Sequence, residues 1–147
     1  MGSLSDEQLI GRDMKTELKY GMQTVVTIGE TFGVFVSRRW VLAVEKTACV
    51  IWEGPDLRSV HGTVMDIREL GPLVLLRVDY PAQLVKFPKL RFSMSTDVAP
   101  LAEMDRIAAP GIPIIEDDVL VGMTIGLHHA YMLSGSDILH LVNLRLE

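Results

Sequence analysis

The sequence predicts a mostly β protein in which two successive sets of short strands are flanked by one short helix at each end. Short runs of β-branched and aromatic residues recur along the chain, and turn-forming residues separate them. Apolar residues at helical spacing occur before the first run and after the last. The length of 147 residues and the hydrophobic content of 48% are sufficient for one packed domain.

Residues 1–22 are expected to form a short amphipathic helix. Ser5 precedes Asp6 and Glu7, a pattern typical of a capped helix start with acidic residues near its positive end. Apolar residues then recur at near-helical spacing: Leu9, Ile10, Met14 and Leu18. Because so short a helix is not stable alone, we expect it to dock on the body of the protein.

Residues 23–80 carry the first strand set. Its six predicted strands are 24–28, 33–37, 40–44, 49–52, 60–67 and 73–78. Strands this short and this evenly spaced indicate an antiparallel barrel, because closure of the sheet removes its exposed edges. Residues 81–89 are predicted to be a connector that leads to the second set.

Residues 90–134 carry the second, weaker strand set, and residues 135–147 form a closing helix. The predicted strands are 90–94, 98–104, 112–115, 119–125 and 130–133. Glu116-Asp117-Asp118 between two of them is a hairpin turn signal. Ser136 is the expected cap of the closing helix, whose apolar face would comprise Ile138, Leu139, Leu141, Val142 and Leu144.

Three segments in this order resemble the chymotrypsin-like proteases. Residues 32–48, FGVFVSRRWVLAVEKTA, resemble the family segment that ends in W-V-L-T-A-A-H-C. Residues 72–79, PLVLLRVD, are similar to the D-L-A-L-L-R-V strand that carries the catalytic aspartate. Residues 108–126, AAPGIPIIEDDVLVGMTIG, resemble G-D-S-G-G-P-L-V followed by a hairpin and V-G-I-x-x-G. The short first helix and the basic connector are most similar to the picornavirus-type proteases of this fold.

The resemblance implies a chymotrypsin-like double β-barrel, with a truncated second barrel because the segment between the second and third motifs is short. The family's catalytic histidine falls at Lys46 or Thr47, its catalytic acid at Pro72 and its nucleophile at Pro110. Neither lysine nor threonine relays a proton near neutral pH as imidazole does. Proline has no nucleophilic side chain and no N–H for an oxyanion. The sequence therefore predicts a pseudoprotease without a catalytic triad.

A protease-like domain without a triad is expected to act as a protein-interaction module. The family groove accepts an extended peptide by strand addition, and this geometry does not depend on the catalytic residues. Four residues fall near the position of the specificity pocket in picornavirus-type proteases and are expected to form a remnant pocket: Thr124, Gly126, His128 and His129. The mean hydropathy of +0.28 favours a protein or peptide partner, or a second copy of the chain. A viral accessory protein and a degenerate copy of a protease both fit this description.

Two alternative functions stay open. RNA binding would use the connector, where three positive charges and one aromatic ring lie close together, namely Lys86, Phe87, Lys89 and Arg91. The net charge of −5 makes this alternative the less favoured one. A residual hydrolase would need a relocated nucleophile, either Cys49 or Ser134. The apolar neighbours of Cys49 predict instead that it packs in the core, and the setting of Ser134 predicts a turn or a helix cap.

The sequence indicates no cofactor and no metal site. His128 and His129 are adjacent, and adjacent strand residues point to opposite faces, so they would not share an ion. The single cysteine excludes an internal disulfide and suits a reducing compartment. The acidic start is not typical of a secretory signal, and no apolar run approaches the roughly 20 residues of a membrane span. The expected location is the cytoplasm, or the host cytoplasm for a viral protein.

Overall fold

The computed structural model describes residues 25–53, 59–79, 89–90, 101–103 and 109–146. The first six strands are β1 (Val25–Ile28), β2 (Thr31–Phe35), β3 (Trp40–Ala43), β4 (Cys49–Glu53), β5 (Ser59–Leu70) and β6 (Leu73–Asp79). They are followed by β7 (Leu101–Glu103), β8 (Pro113–Glu116), β9 (Val119–Thr124), β10 (His129–Met132) and the helix α1 (Gly135–Leu144). The predicted N-terminal helix and residues 81–88 of the predicted connector lie outside the described residues.

The first six strands form a closed antiparallel barrel in the order β1-β2-β3-β6-β5-β4. Every second residue of a strand points inward, and these positions carry large apolar side chains. The interior is filled by one cluster that includes Val26, Phe35, Val41, Val50, Trp52, Leu76 and Val78. The predicted mostly β fold and its six-stranded barrel are confirmed.

Three strands of the barrel, β2, β3 and β6, are buried on both of their faces. Their outward residues form a second cluster with the following sheet and with α1. The barrel contributes Val34, Val36, Trp40, Leu42, Leu73 and Leu75, and the other side contributes Leu120, Met123, Leu133, Ile138, Leu141 and Leu144. Burial on both faces explains why the sequence of β3 is apolar without interruption, and why β6 begins with four apolar residues.

The second unit is a four-stranded antiparallel sheet in the order β7-β10-β9-β8. Within the described part of the chain it does not close on itself, and β7 and β8 form its edges. The chymotrypsin-like double barrel is therefore not confirmed. The predicted hairpin at the acidic turn is confirmed, because β8 and β9 are joined by Asp117 and Asp118 with φ values of 50° and 64°. Positive φ at both central residues is the geometry of a type I′ turn.

The closing helix is confirmed, but its predicted cap is wrong. The N-cap is Ser134, and Ser136 lies inside the first turn of α1. Ser134 Oγ accepts a hydrogen bond from Asp137 N at 3.1 Å, and Asp137 Oδ2 accepts one from Ser134 N at 3.0 Å. This reciprocal capping box satisfies two backbone donors, whereas a cap at Ser136 would place Leu139, which has no polar side chain, at the N3 position. No helix among the described residues is long and apolar enough to cross a membrane.

Candidate functional site

Two of the positions aligned with catalytic residues lie at the same end of the barrel. β3 and β6 are antiparallel, with Ala43 opposite Val74, so the residues after β3 and those before β6 share one end of the sheet. Lys46 follows β3, and its Nζ lies 3.2 Å from Glu69 Oε1. Glu69 pairs with Val74 at the base of the β5–β6 hairpin, whose turn contains Pro72. The ion pair therefore joins the turn after β3 to this hairpin.

The third position, Pro110, reaches the barrel at the start of β2. Its carbonyl oxygen accepts a hydrogen bond from Phe32 N at 3.0 Å. The next residue of β2, Gly33, pairs with Ala43 at the end of β3. The strand register therefore brings the segments that contain Lys46, Pro72 and Pro110 to one end of the barrel.

Glycine is required after Pro110 because the turn packs backbone against backbone. Gly111 has a φ of +91°, and a Cβ atom added there would lie 1.8 Å from the carbonyl oxygen of Phe32. Its N–H donates to Thr124 O at 2.7 Å, which fixes the turn to β9. A close approach of this kind links residues far apart in the chain, and local sequence patterns carry no signal for it.

Thr124, which was predicted to line a pocket, is buried and holds the same turn in place. Its side chain is in contact with two backbone groups: Oγ1 donates to Ala109 O at 2.6 Å and accepts from Ile112 N at 2.8 Å. Only 1% of the residue is exposed to solvent. Both hydrogen-bonding capacities of the hydroxyl are thus used inside the protein, and Thr124 acts as a positioning residue for the turn.

Of the other three predicted pocket residues, Gly126 and His128 lie in the connection between β9 and β10, and His129 is the first residue of β10. His128 and His129 are exposed, and Ile125 N donates to His129 O at 2.9 Å to close the loop. Around Gly126 the space is open, since an added Cβ would meet nothing within 4 Å. The described residues contain no group of three or more potential metal ligands of the His, Cys, Asp or Glu type.

The positions aligned with the family's triad are held by local and surface contacts. Thr47 Oγ1 donates to Cys49 O at 3.0 Å, a local turn contact. The Lys46–Glu69 ion pair has side chains 60% and 74% exposed, and pairs in water contribute at most about 1 kcal/mol. Pro72 and Pro110 have no N–H and no polar side chain, so their carbonyl oxygens are their only hydrogen-bonding groups. These four residues thus provide loop geometry and one exposed cation.

Of the four connector residues predicted to contact RNA, only Lys89 is described. Lys89 is exposed, and its backbone forms a parallel bridge with Val119. Its N–H donates to Asp118 O at 3.2 Å, and its carbonyl accepts from Leu120 N at 3.1 Å. Lys86, Phe87 and Arg91 lie outside the described residues, so RNA binding stays a prediction.

The interpretation of Cys49 as a core residue is wrong, because its thiol is exposed. Strand alternation gives the reason: Val50 and Trp52 of β4 fill the barrel interior, so Cys49 points outward. Its Sγ lies 3.8 Å from Nδ1 of His61 in the neighbouring strand β5. The alternation of β4 was visible in the sequence, but the partner strand and its register were not.

Among the described residues, two side chains with shifted pKa values, Tyr131 and Arg145, lie at the contacts of α1. The pKa of Tyr131 is raised to about 12, mainly by burial. The hydrogen bond that its hydroxyl donates to Asp137 Oδ2 at 2.7 Å, and the negative charge of that carboxylate, raise it further. Burial also lowers the pKa of Arg145, whose Nε donates to Val36 O at 2.5 Å. Shifted values often mark functional sites, but here they mark the attachment of α1 to the second sheet and to the barrel.

No model of a known protein family matches the chain, and neither a curated protein nor a solved structure matches it. The resemblance to chymotrypsin-like proteases therefore rests on the sequence motifs alone.

Proposed function

We propose that this chain is a non-catalytic, protease-like module that binds an extended segment of a protein partner. The observation that carries the proposal is the turn at Pro110 and Gly111. In the family this turn would present the nucleophile. Here it packs against β2, and the Pro110 carbonyl accepts a hydrogen bond from Phe32 N. Gly111 leaves no room for a side chain beside the Phe32 carbonyl. A turn held in this way is a structural joint between the two halves of the fold.

The exposed parts of the second sheet favour binding by strand addition. β8 is an edge strand among the described residues, and edge backbone groups can pair with an extended peptide. Ile114 and Ile115 of β8 are half-buried, so each offers some apolar surface. The β9–β10 loop lies at the end of the sheet where β8 begins, because Pro113 pairs with Met123. We expect a peptide that extends past the start of β8 to approach this loop, where His128 and His129, the first residue of β10, would contact its side chains.

The test is selection from a random peptide library displayed on phage, followed by fluorescence anisotropy with the enriched peptides. Gly126→Arg places a long side chain in open space at the loop, and we expect it to weaken binding at least tenfold. Thr63→Arg adds the same side chain to an exposed position on β5 and should leave the affinity unchanged. No enrichment, or equal binding by both variants, would contradict the proposed site. Cleavage of the peptides by the parent protein, detected by mass spectrometry, would contradict the non-catalytic role.

A further inference from the structure

The outer face of β4 and β5 carries a thiol–imidazole pair that the proposed peptide site does not use. Cys49 pairs with Thr63 and Ile51 pairs with His61, so the cysteine and the histidine are diagonal neighbours on adjacent strands. The distance from Cys49 Sγ to His61 Nδ1 is 3.8 Å, and both residues are exposed. A continuous two-strand ladder fixes the backbone positions of both. The pair is therefore built into the barrel wall and remains open to small molecules.

We propose that the Cys49–His61 pair is a thiol-modification site that reacts with low-molecular-weight disulfides. A thiolate is the attacking species in such exchange, and an imidazole nitrogen within reach of the thiol can take its proton. Val50 O also lies near the sulfur, at 3.6 Å, but a carbonyl oxygen accepts only a hydrogen bond. His61 is thus the nearby base that can remove the proton.

The reaction is balanced without any further reagent. The proton of the Cys49 thiol passes to His61 Nδ1 while Sγ attacks one sulfur of the disulfide. The S–S bond of the reagent breaks, and its leaving thiolate takes the proton from the imidazolium. The products are a mixed disulfide on Cys49, in which the cysteine is oxidised, and one free thiol, which is the reduced half of the reagent.

A mixed disulfide formed here can be removed only by an external thiol. Cys49 is the single cysteine of the chain, so no second thiol of the same molecule can displace the bound group. The modification adds bulk and, with glutathione as the donor, charge to the outer face of β4 and β5. The barrel core is not disturbed, because the neighbouring Val50 and Trp52 side chains that fill it point the other way.

The experiment measures the rate of mixed-disulfide formation with oxidised glutathione, followed by intact-protein mass spectrometry. His61→Ala removes the base from an exposed position, and we expect the rate to fall about tenfold, below the usual gain from a positioned base because water competes at this surface. Thr63→Ala removes bulk directly opposite Cys49 without touching the imidazole and should retain the parent rate. Unfolding curves in urea establish that both variants are folded.

Two results would overturn the proposal. One is a His61→Ala rate equal to or above that of the parent, and the other is a parent rate no faster than that of the urea-unfolded chain. Peptide binding at the second sheet is measured separately, so failure here leaves the proposed function untouched, and the reverse also holds.

Discussion

Gly111→Ala tests whether the contact between the second sheet and β2 holds the fold together. The added methyl carbon would lie 1.8 Å from the carbonyl oxygen of Phe32. The backbone φ of residue 111, +91°, is also unfavourable for any residue with a side chain. The neighbouring atoms at Phe32 are backbone atoms of a barrel strand, so a side-chain rotation cannot relieve the clash. The turn itself must move away from β2.

The cost of this movement can be worked out from the bonds that it breaks. A strained backbone conformation of this kind costs of order 1–3 kcal/mol. Displacing the turn also loses the Phe32 N–Pro110 O and Gly111 N–Thr124 O hydrogen bonds, each with a net contribution of about 1 kcal/mol. The expected loss is about 4 kcal/mol, a large part of the roughly 5–15 kcal/mol that stabilises a typical domain.

Urea unfolding followed by tryptophan fluorescence measures this loss and also locates it. Trp52 lies in the barrel interior, whereas Trp40 lies in the cluster shared with the second sheet and α1. If the turn separates from β2 before the barrel unfolds, the signal of Trp40 changes at lower urea than that of Trp52. Replacing either tryptophan by phenylalanine assigns the two signals.

Gly126→Ala is the matched control, because the same methyl group enters open space in the β9–β10 connection. It should change the free energy of unfolding by no more than about 0.5 kcal/mol. A Gly111→Ala protein that unfolds within 1 kcal/mol of the control would refute the reasoning. In that case the turn can shift with little loss of folding free energy, and its contact with β2 cannot be what holds the two halves together.

Two further predictions concern α1 and its attachment. Ser134→Ala removes the N-cap hydroxyl and should lower the free energy of unfolding by about 1 kcal/mol. Ser136→Ala, at the second residue of the helix, should change it by only a few tenths of a kcal/mol. Equal effects in urea unfolding would contradict the assigned cap. The second prediction concerns pH. The pKa of Tyr131 rises from 10.0 to about 12 on folding, so the protonated phenol stabilises the fold below pH 10, and this stabilisation is lost as the pH rises towards 12. The parent should therefore lose more stability than Tyr131→Phe over this interval, and parallel pH curves would contradict it.

The bounds of β3 and β6 could be predicted to within a residue or two. Residues 40–44 and 73–78 were expected and correspond to β3 and β6, because both runs end at polar turns. β5 was predicted too short, as 60–67, whereas it extends to Leu70. The missed residues 68–70 include the charged Arg68 and Glu69, which are exposed on the strand and give no apolar signal.

In the candidate site, two local features were predicted wrongly although the sequence carries their signal, and two contacts depend on the tertiary fold. Cys49 was assigned to the core from its apolar neighbours, although the alternation with Val50 and Trp52 already placed it outside. The cap was assigned to Ser136, although Ser134 and Asp137 have the spacing of a capping box. The approach of Gly111 to Phe32 and the contact between the side chains of Cys49 and His61 depend on how distant strands pair, for which the sequence has no local signal.

The double burial of β2, β3 and β6 has a consequence for how the protein can be divided. Residues 25–79 cannot be excised as an autonomous folding unit, because Val34, Trp40, Leu42 and Leu75 would then face water on the outside of the barrel. The same holds for the C-terminal half, whose apolar side chains would lose the wall they pack against. We therefore expect neither half to fold without the other.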